Sequence, residues 1–159
     1  MNVDPDAAAR VVHVLGVVVW IGGVAFMTAV VLPSLKRLDP ERRALMLEAV
    51  EGRFAWIARV MVLFVGASGF YMVWSLDLWD RFQHLSGWWM DAMIAVWLVF
   101  AALLFVLEPL VLHRRFLERI RREPDRALVT MQRFHWLLLA ASLITIAGAT
   151  AGAHGYTLF

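Results

Sequence analysis

The sequence predicts an all-α integral membrane protein, a four-helix bundle, from its composition and from the spacing of its charges. Hydrophobic residues make up 62% of the 159 residues and charged residues 18%, with a mean hydropathy of +0.70. Soluble domains average about 45–50% apolar and about 25% charged residues. Four stretches, residues 11–35, 60–76, 92–107 and 134–159, contain no charged side chain. This composition excludes a soluble enzyme, a nucleic-acid-binding domain and a disordered chain.

Each uncharged stretch is close to the roughly 20 apolar residues that a helix needs to cross a bilayer. We therefore predict helices over about residues 8–33, 56–76, 88–112 and 134–154, within one transmembrane domain over 1–159. The first stretch is longer than a signal-peptide core and has no basic flank before it, so it should remain as a spanning helix. Residues 40–52 follow Asp39 as an N-cap, with Pro40 in the first turn, and are expected to form an amphipathic helix on the membrane surface.

The basic residues predict the orientation. Twelve of the 15 lie in the segments that join helix 1 to helix 2 and helix 3 to helix 4, whereas the other side has only Arg10 and Arg81. Because basic loops stay in the cytoplasm, both termini should face outwards, into the periplasm if the membrane is a bacterial inner membrane. The twelve are Lys36, Arg37, Arg42, Arg43, Arg53, Arg114, Arg115, Arg119, Arg121, Arg122, Arg126 and Arg133.

The two basic segments resemble each other, which predicts two tandem helical hairpins with cytoplasmic loops. Arg53-Phe54-Ala55-Trp56 begins helix 2 and Arg133-Phe134-His135-Trp136 begins helix 4, and Pro33 and Pro109 precede the two loops. This pattern indicates one hairpin used twice in the same orientation. The expected partners are the lipid bilayer and either another membrane protein or a second copy. The membrane topology accounts for the excess of basic residues, so no nucleic-acid partner is expected.

Arg59 and Glu108 are charged residues within the predicted spans, each about one turn from the inner end of its helix. A charge at the centre of a membrane helix costs roughly 2.5–3.5 kcal/mol on insertion scales. Adjacent antiparallel helices would let the two side chains meet, so we predict a structural ion pair. A proton or ion path and snorkelling to the interface are the alternatives.

Histidine and methionine are the soft metal ligands of this chain, which has no cysteine. His13 in helix 1 and His154 at the end of helix 4 lie at the same predicted depth near the outer face. Met90 begins helix 3 at that level, and His84 lies in the outer loop beside several aspartates. Each is a candidate ligand, although a packed histidine, a filler methionine and a solvated loop are the common roles.

Gly16 and Trp20 lie on the same face of helix 1 as His13 and could shape a groove for a flat macrocycle. The same glycine also suits close helix packing. His113 and His135 sit at the inner ends of helices 3 and 4, and their roles are left open. No serine–histidine–carboxylate set and no phosphate-binding loop is visible, which argues against hydrolysis and phosphoryl transfer. If the protein is an enzyme, it is a membrane oxidoreductase.

The first two helices carry a family resemblance. His13-Val14-Leu15-Gly16, then Trp20-Ile21-Gly22-Gly23 and Leu32-Pro33, resembles the first helix of the CopD-like (copper resistance D) membrane proteins and of the related HemJ-type protoporphyrinogen oxidases. Arg53-Phe54-Ala55-Trp56 running into Gly66-Ala67-Ser68-Gly69 looks like the next helix of the CopD-like group. The resemblance implies a helical bundle that handles copper or a b-type haem, with His13 at the haem-linked position of the HemJ-type proteins.

One departure from the HemJ-type pattern is informative. That group opens a later helix with Gly-Trp-x-His-x-Lys, whereas this chain reads Gly87-Trp88-Trp89-Met90-Asp91-Ala92. The departure argues against protoporphyrinogen oxidation and leaves room for a haem site with different ligation.

The leading hypothesis is a b-type haem or a copper ion bound near the outer face, with an electron-transfer role or a redox step on a membrane-soluble substrate. His13, His154 and Met90 would be the ligands, and Gly16 and Trp20 would shape the pocket. One alternative is copper transport, with histidines and methionines passing the ion without a fixed cofactor. The other is a cofactor-free structural or assembly subunit of a membrane complex.

Overall fold

The computed structural model describes residues 4–112 and 123–156. Within these ranges it is almost entirely helical and contains no strand. Four of its helices are long and apolar enough to span a membrane: Pro5–Leu35, Pro40–Ser75, Leu85–Glu108 and Asp125–Ala153. The predicted all-α class and the transmembrane helices are therefore confirmed. His113 and the basic residues between 114 and 122 lie outside the described residues.

The helices are named in chain order. Helix α1 covers Pro5–Leu35, α2 covers Pro40–Ser75, α3 covers Trp88–Ala102 and continues as a π-helix over Leu103–Leu112, and α4 covers Pro124–Ala153. Two short 3-10 turns, Trp79–Gln83 and Leu85–Gly87, join α2 to α3. We call the end where α1 ends and α2 begins the basic end, and the opposite end, where α1 begins and α4 ends, the terminal end.

Residues 40–52 do not form the separate surface helix that the sequence predicts. The N-cap is as expected, since the Asp39 carboxylate accepts a hydrogen bond from the Arg42 backbone N–H at 3.1 Å. The helix then runs without a break into the second span and reaches 36 residues. Leu47 of this segment is buried in a cluster with Leu32, Leu35, Ala127, Leu128 and Met131, whereas Leu45 and Met46 are exposed. Helix α4 likewise begins at Pro124, ahead of the predicted residue 134.

The four helices close a ring. Helix α1 packs mainly on α2 and α3 on α4, and α1 also contacts α4 while α2 contacts α3. Their shared core includes Trp20 and Phe100, whose rings meet edge to face with centroids 4.8 Å apart. This is a favourable aromatic geometry.

Two π-helical segments lie near the basic end, one in α1 and one after α3. The first covers Met27–Val31 and the second Leu103–Leu112. Each is associated with a proline, Pro33 or Pro109, which cannot donate the backbone hydrogen bond of a regular helix. In the first segment the Leu32 N–H bonds to the Met27 carbonyl, five residues back instead of four. Such π segments occur often at functional sites.

Arg43 ties the connection between α1 and α2 to α4. Its Nε donates to the Leu35 carbonyl at 3.2 Å, and its Nη2 donates to the carbonyls of Leu38 at 3.1 Å and Lys36 at 3.4 Å. Its Nη1 lies 2.6 Å from Asp125 Oδ1 at the start of α4. The guanidinium thus supplies donors to the carbonyls at the end of α1, among which Leu35 also accepts from the Leu38 N–H at 3.1 Å.

Candidate functional site

His13 is packed against α2. Its Nδ1 lies 3.0 Å from the Val65 carbonyl oxygen and 3.2 Å from Ser68 Oγ. Because a carbonyl only accepts, Nδ1 carries the proton and donates it. The Ser68 hydroxyl itself donates to the Phe64 carbonyl at 2.6 Å. His13 therefore has the hydrogen bonds of a residue that joins two helices.

The other residues of the predicted outer site have partners of their own. His154 is exposed, and its Nδ1 lies 2.8 Å from the Thr150 carbonyl one turn earlier in α4. His84 is exposed in the loop, and Met90 is buried with 3% of its surface exposed. Across residues 4–112 and 123–156, no three His, Asp or Glu side chains are grouped as a metal site would require. The haem or copper site near the outer face stays a prediction, and these contacts add no support for it.

Gly16 and Trp20 serve helix packing near the middle of α1. A Cβ added to Gly16 would lie 2.7 Å from Val65 Cγ2, so the glycine permits close approach of α1 to α2. Trp20 is 3% exposed and packs on Phe100. It also lines a large cavity on the side away from His13.

This cavity, of about 1090 Å³, lies between the helices in the half of the bundle near the basic end. Ligand pockets commonly measure about 300–1,000 Å³, so it is large enough for a sizeable molecule. Its walls are mainly apolar and come from all four helices. Among the lining residues are Trp20, Val24, Met27, Leu47, Phe54, Ala55, Phe100, Leu103, Leu104, Leu107, Phe134 and Leu138.

The Arg59–Glu108 pair lies in the wall of the cavity. Arg59 Nη2 is 2.8 Å from Glu108 Oε2, so the structure brings together the two residues that the sequence predicts as an ion pair. Arg59 Nε also donates to the Leu104 carbonyl at 3.0 Å. In a π-helix that carbonyl would pair with the N–H of residue 109, which is proline and has none. Arg59 therefore supplies the donor that the second π segment lacks.

The remaining charges make the cavity acidic. Its lining holds four glutamates and two arginines, and Arg126 at the rim pairs with Glu123 at 3.2 Å. With both arginines paired, Glu48 and Glu51 are left without a cation within salt-bridge distance in the part of the chain that the structure describes. Among the described lining residues, carboxyl groups thus outnumber guanidinium groups by two.

His135 is a functional candidate whose role the sequence leaves open. It lines the cavity, and its Nδ1 lies 3.0 Å from the Met131 carbonyl, so Nδ1 donates and Nε2 stays free of its proton. Metal-binding histidines are usually oriented by a hydrogen bond of this kind, although His154 makes the same contact with the Thr150 carbonyl outside the cavity. Met131 and Met27 line the same cavity. Three soft donors thus share one space with two carboxylates.

Part of this grouping has a signal in the sequence. Met131 and His135 are four residues apart in one helix and so share a face. Met27 joins them only through the packing of α1 against α4, which the spacing of residues does not reveal.

The fold fits one class of protein, a multi-pass helical membrane protein, with a large, partly open cavity between its helices. Comparison of the chain with protein-family models, with curated proteins and with solved structures gives no match. The function of the protein is therefore inferred from the cavity and from the sequence.

Proposed function

We propose that the protein handles copper in the membrane, binding Cu(I) in the cavity and passing it on. The observation that carries this proposal is the presence of Met27, Met131 and His135 in the lining of a cavity with two carboxylates in excess. The resemblance of the first two helices to the CopD-like proteins supports the same proposal.

The chemistry of the lining suits a soft monovalent cation. Thioether and imidazole ligands select Cu(I), whereas carboxylates alone suit harder ions. Glu48 and Glu51 attract cations into the cavity through their uncompensated charge. The soft donors belong to α1 and α4 and make no closed ligand set, which favours exchange of the ion between donors over permanent storage.

A b-type haem fits this cavity poorly. His135 offers a nitrogen and the aromatic walls suit a flat ring, but haem propionates require positive partners. Arg59 is engaged by Glu108 and Arg126 by Glu123, and the propionates would face Glu48 and Glu51 as well. We therefore derive no haem-dependent step from these residues.

Copper retention tests the proposal. We expect purified protein loaded with Cu(I) under reducing conditions to retain the metal after desalting, as measured by elemental analysis. His135→Ala and the volume-conserving pair Met27→Leu/Met131→Leu should each weaken binding about tenfold or more, because each removes donor atoms. His13→Ala and His154→Ala are matched controls outside the cavity and should retain copper.

Three outcomes would contradict copper binding in the cavity. Loss of copper only in His13→Ala or His154→Ala would place the site near the terminal end. A Soret band in the untreated protein would favour haem. A preparation that holds neither copper nor haem would favour the cofactor-free assembly subunit.

We further propose that the basic end faces the cytoplasm and that both termini face outwards, across a bacterial inner membrane. The excess of Lys and Arg at that end supports this orientation. The chain has no cysteine, so single-cysteine variants report position without background. In spheroplasts, a membrane-impermeant maleimide should label Ser86→Cys directly and Arg37→Cys only after lysis. The reverse pattern would overturn the orientation.

A further inference from the structure

We propose that the cavity is also a binding site for lipophilic organic cations, molecules with an apolar aromatic body and a permanent positive charge. This inference goes beyond copper handling, because it depends on the volume, the walls and the charge of the cavity and not on its soft donors.

The volume exceeds what an ion requires. The cavity measures about 1090 Å³, and spaces of roughly 300–1,000 Å³ hold drug-sized ligands with most of their surface buried. A single copper ion with its donors would leave most of this space unfilled. A ligand with several rings would fill it.

The walls suit an aromatic cation. Each helix contributes one aromatic side chain to the lining: Trp20 from α1, Phe54 from α2, Phe100 from α3 and Phe134 from α4. The faces of such rings attract cations by about 0.5–2 kcal/mol within roughly 6 Å of the ring centroid. Aliphatic residues between them, such as Leu103 and Leu138, provide dispersion contacts for the apolar body.

The charge of the lining selects the sign of the ligand. Arg59 and Arg126 are neutralised by their glutamate partners, whereas Glu48 and Glu51 are not. Among the residues that the structure describes in the lining, an anion would meet these two carboxyl groups without a free cation to offset them. An organic cation gains attraction from both.

The test measures binding of rhodamine 6G, a cationic xanthene dye with ester and ether oxygens, to the full chain in lipid nanodiscs by fluorescence anisotropy. Fluorescein, an anionic dye of the same ring type, is the ligand control. We expect rhodamine 6G to bind saturably and fluorescein not to bind. Equal binding of the two dyes would overturn the charge selection.

Two glycines provide matched variants. Gly52 lines the cavity and Gly22 does not, and an added Cβ meets no atom within 4 Å at either position, so both substitutions should fold. Gly52→Phe should fill the cavity and weaken rhodamine 6G binding about tenfold or more. Gly22→Phe should bind like the parent protein. Unchanged binding in Gly52→Phe would overturn the site.

The ligand contacts have their own variants. The pair Glu48→Gln/Glu51→Gln should weaken rhodamine 6G binding by removing the excess charge, and unchanged affinity would overturn that role. Copper retention is measured on the same parent preparation. Dye binding without copper retention defeats the proposed copper function alone, and copper retention without dye binding defeats only this inference.

Discussion

Replacing Arg59 with alanine is expected to lower the free energy of unfolding by about 2–3 kcal/mol. Breaking a fully buried ion pair costs about 3–5 kcal/mol, because the remaining charge is left uncompensated. The Arg59 and Glu108 side chains are 26% and 31% exposed, which reduces that value. Loss of the Nε donor to the Leu104 carbonyl adds to the cost, since Pro109 provides no replacement. Denaturation in mixed micelles, followed by circular dichroism, measures the change.

A double variant separates the ion pair from simple loss of packing. Arg59→Leu/Glu108→Leu removes both charges and keeps apolar volume, so it should be more stable than Arg59→Ala alone. Glu108→Gln should fall between the parent and Arg59→Ala, because the amide still accepts a hydrogen bond. If the double variant were less stable than both single variants, the cost of Arg59→Ala would not come from an uncompensated charge on Glu108.

Replacing Arg43 with alanine should destabilise the basic end by about 3 kcal/mol. The side chain is 8% exposed and donates to the carbonyls of Leu35, Lys36 and Leu38 as well as to Asp125. The Lys36 and Leu38 carbonyls would lose this donor and the buried Leu35 would keep only the Leu38 N–H, while unsatisfied buried groups cost about 1–3 kcal/mol each before water compensates. The same micelle denaturation, with limited proteolysis of the connection between α1 and α2, measures the effect.

The adjacent residue is the natural control for Arg43. Arg42 is also an arginine in the first turns of α2, but its side chain is 79% exposed and pairs only with Asp39 at 3.4 Å. Exposed pairs contribute about 0–1 kcal/mol, so Arg42→Ala should change stability little. Asp125→Ala should also have a small effect, since that carboxylate is 88% exposed. Equal losses in Arg42→Ala and Arg43→Ala would show that the carbonyl contacts contribute nothing.

The spans and the Arg59–Glu108 pair follow from local properties of the sequence. A long apolar stretch must be satisfied within one helix, and a charge at membrane depth needs a partner at the same depth. The start of α2 could also be predicted from local sequence, because the Asp39 side chain caps the Arg42 N–H only three residues away. Its continuation past residue 52 could not be predicted in this way, since Leu47 of that segment is covered by Leu32 and Leu35 from α1 and by Leu128 from α4.

The cavity could not be predicted for a geometric reason. Faces drawn at 3.6 residues per turn assume a regular helix, and each π turn inserts a residue that rotates the following side chains by about 100°. Met27 begins such a segment in α1, and Leu103, Leu104 and Leu107 lie in the other. Which residues line the same wall of the cavity therefore depends on the two π segments. Pro33 and Pro109 indicate that the helices are irregular there, but they do not show where each π segment begins.

The length of α2 determines where the cavity meets water. Its 36 residues correspond to about 54 Å, whereas a bilayer core is about 30 Å thick. With the apolar part of α2 centred in the bilayer, its first turns, with Glu48 and Glu51, would stand at the level of the phospholipid headgroups. A cation of the proposed kind would there exchange its hydration shell for carboxylate oxygens before it meets Phe54 and the aromatic walls. The extra turns of α2 would in this way divide the dehydration of such a ligand into smaller steps.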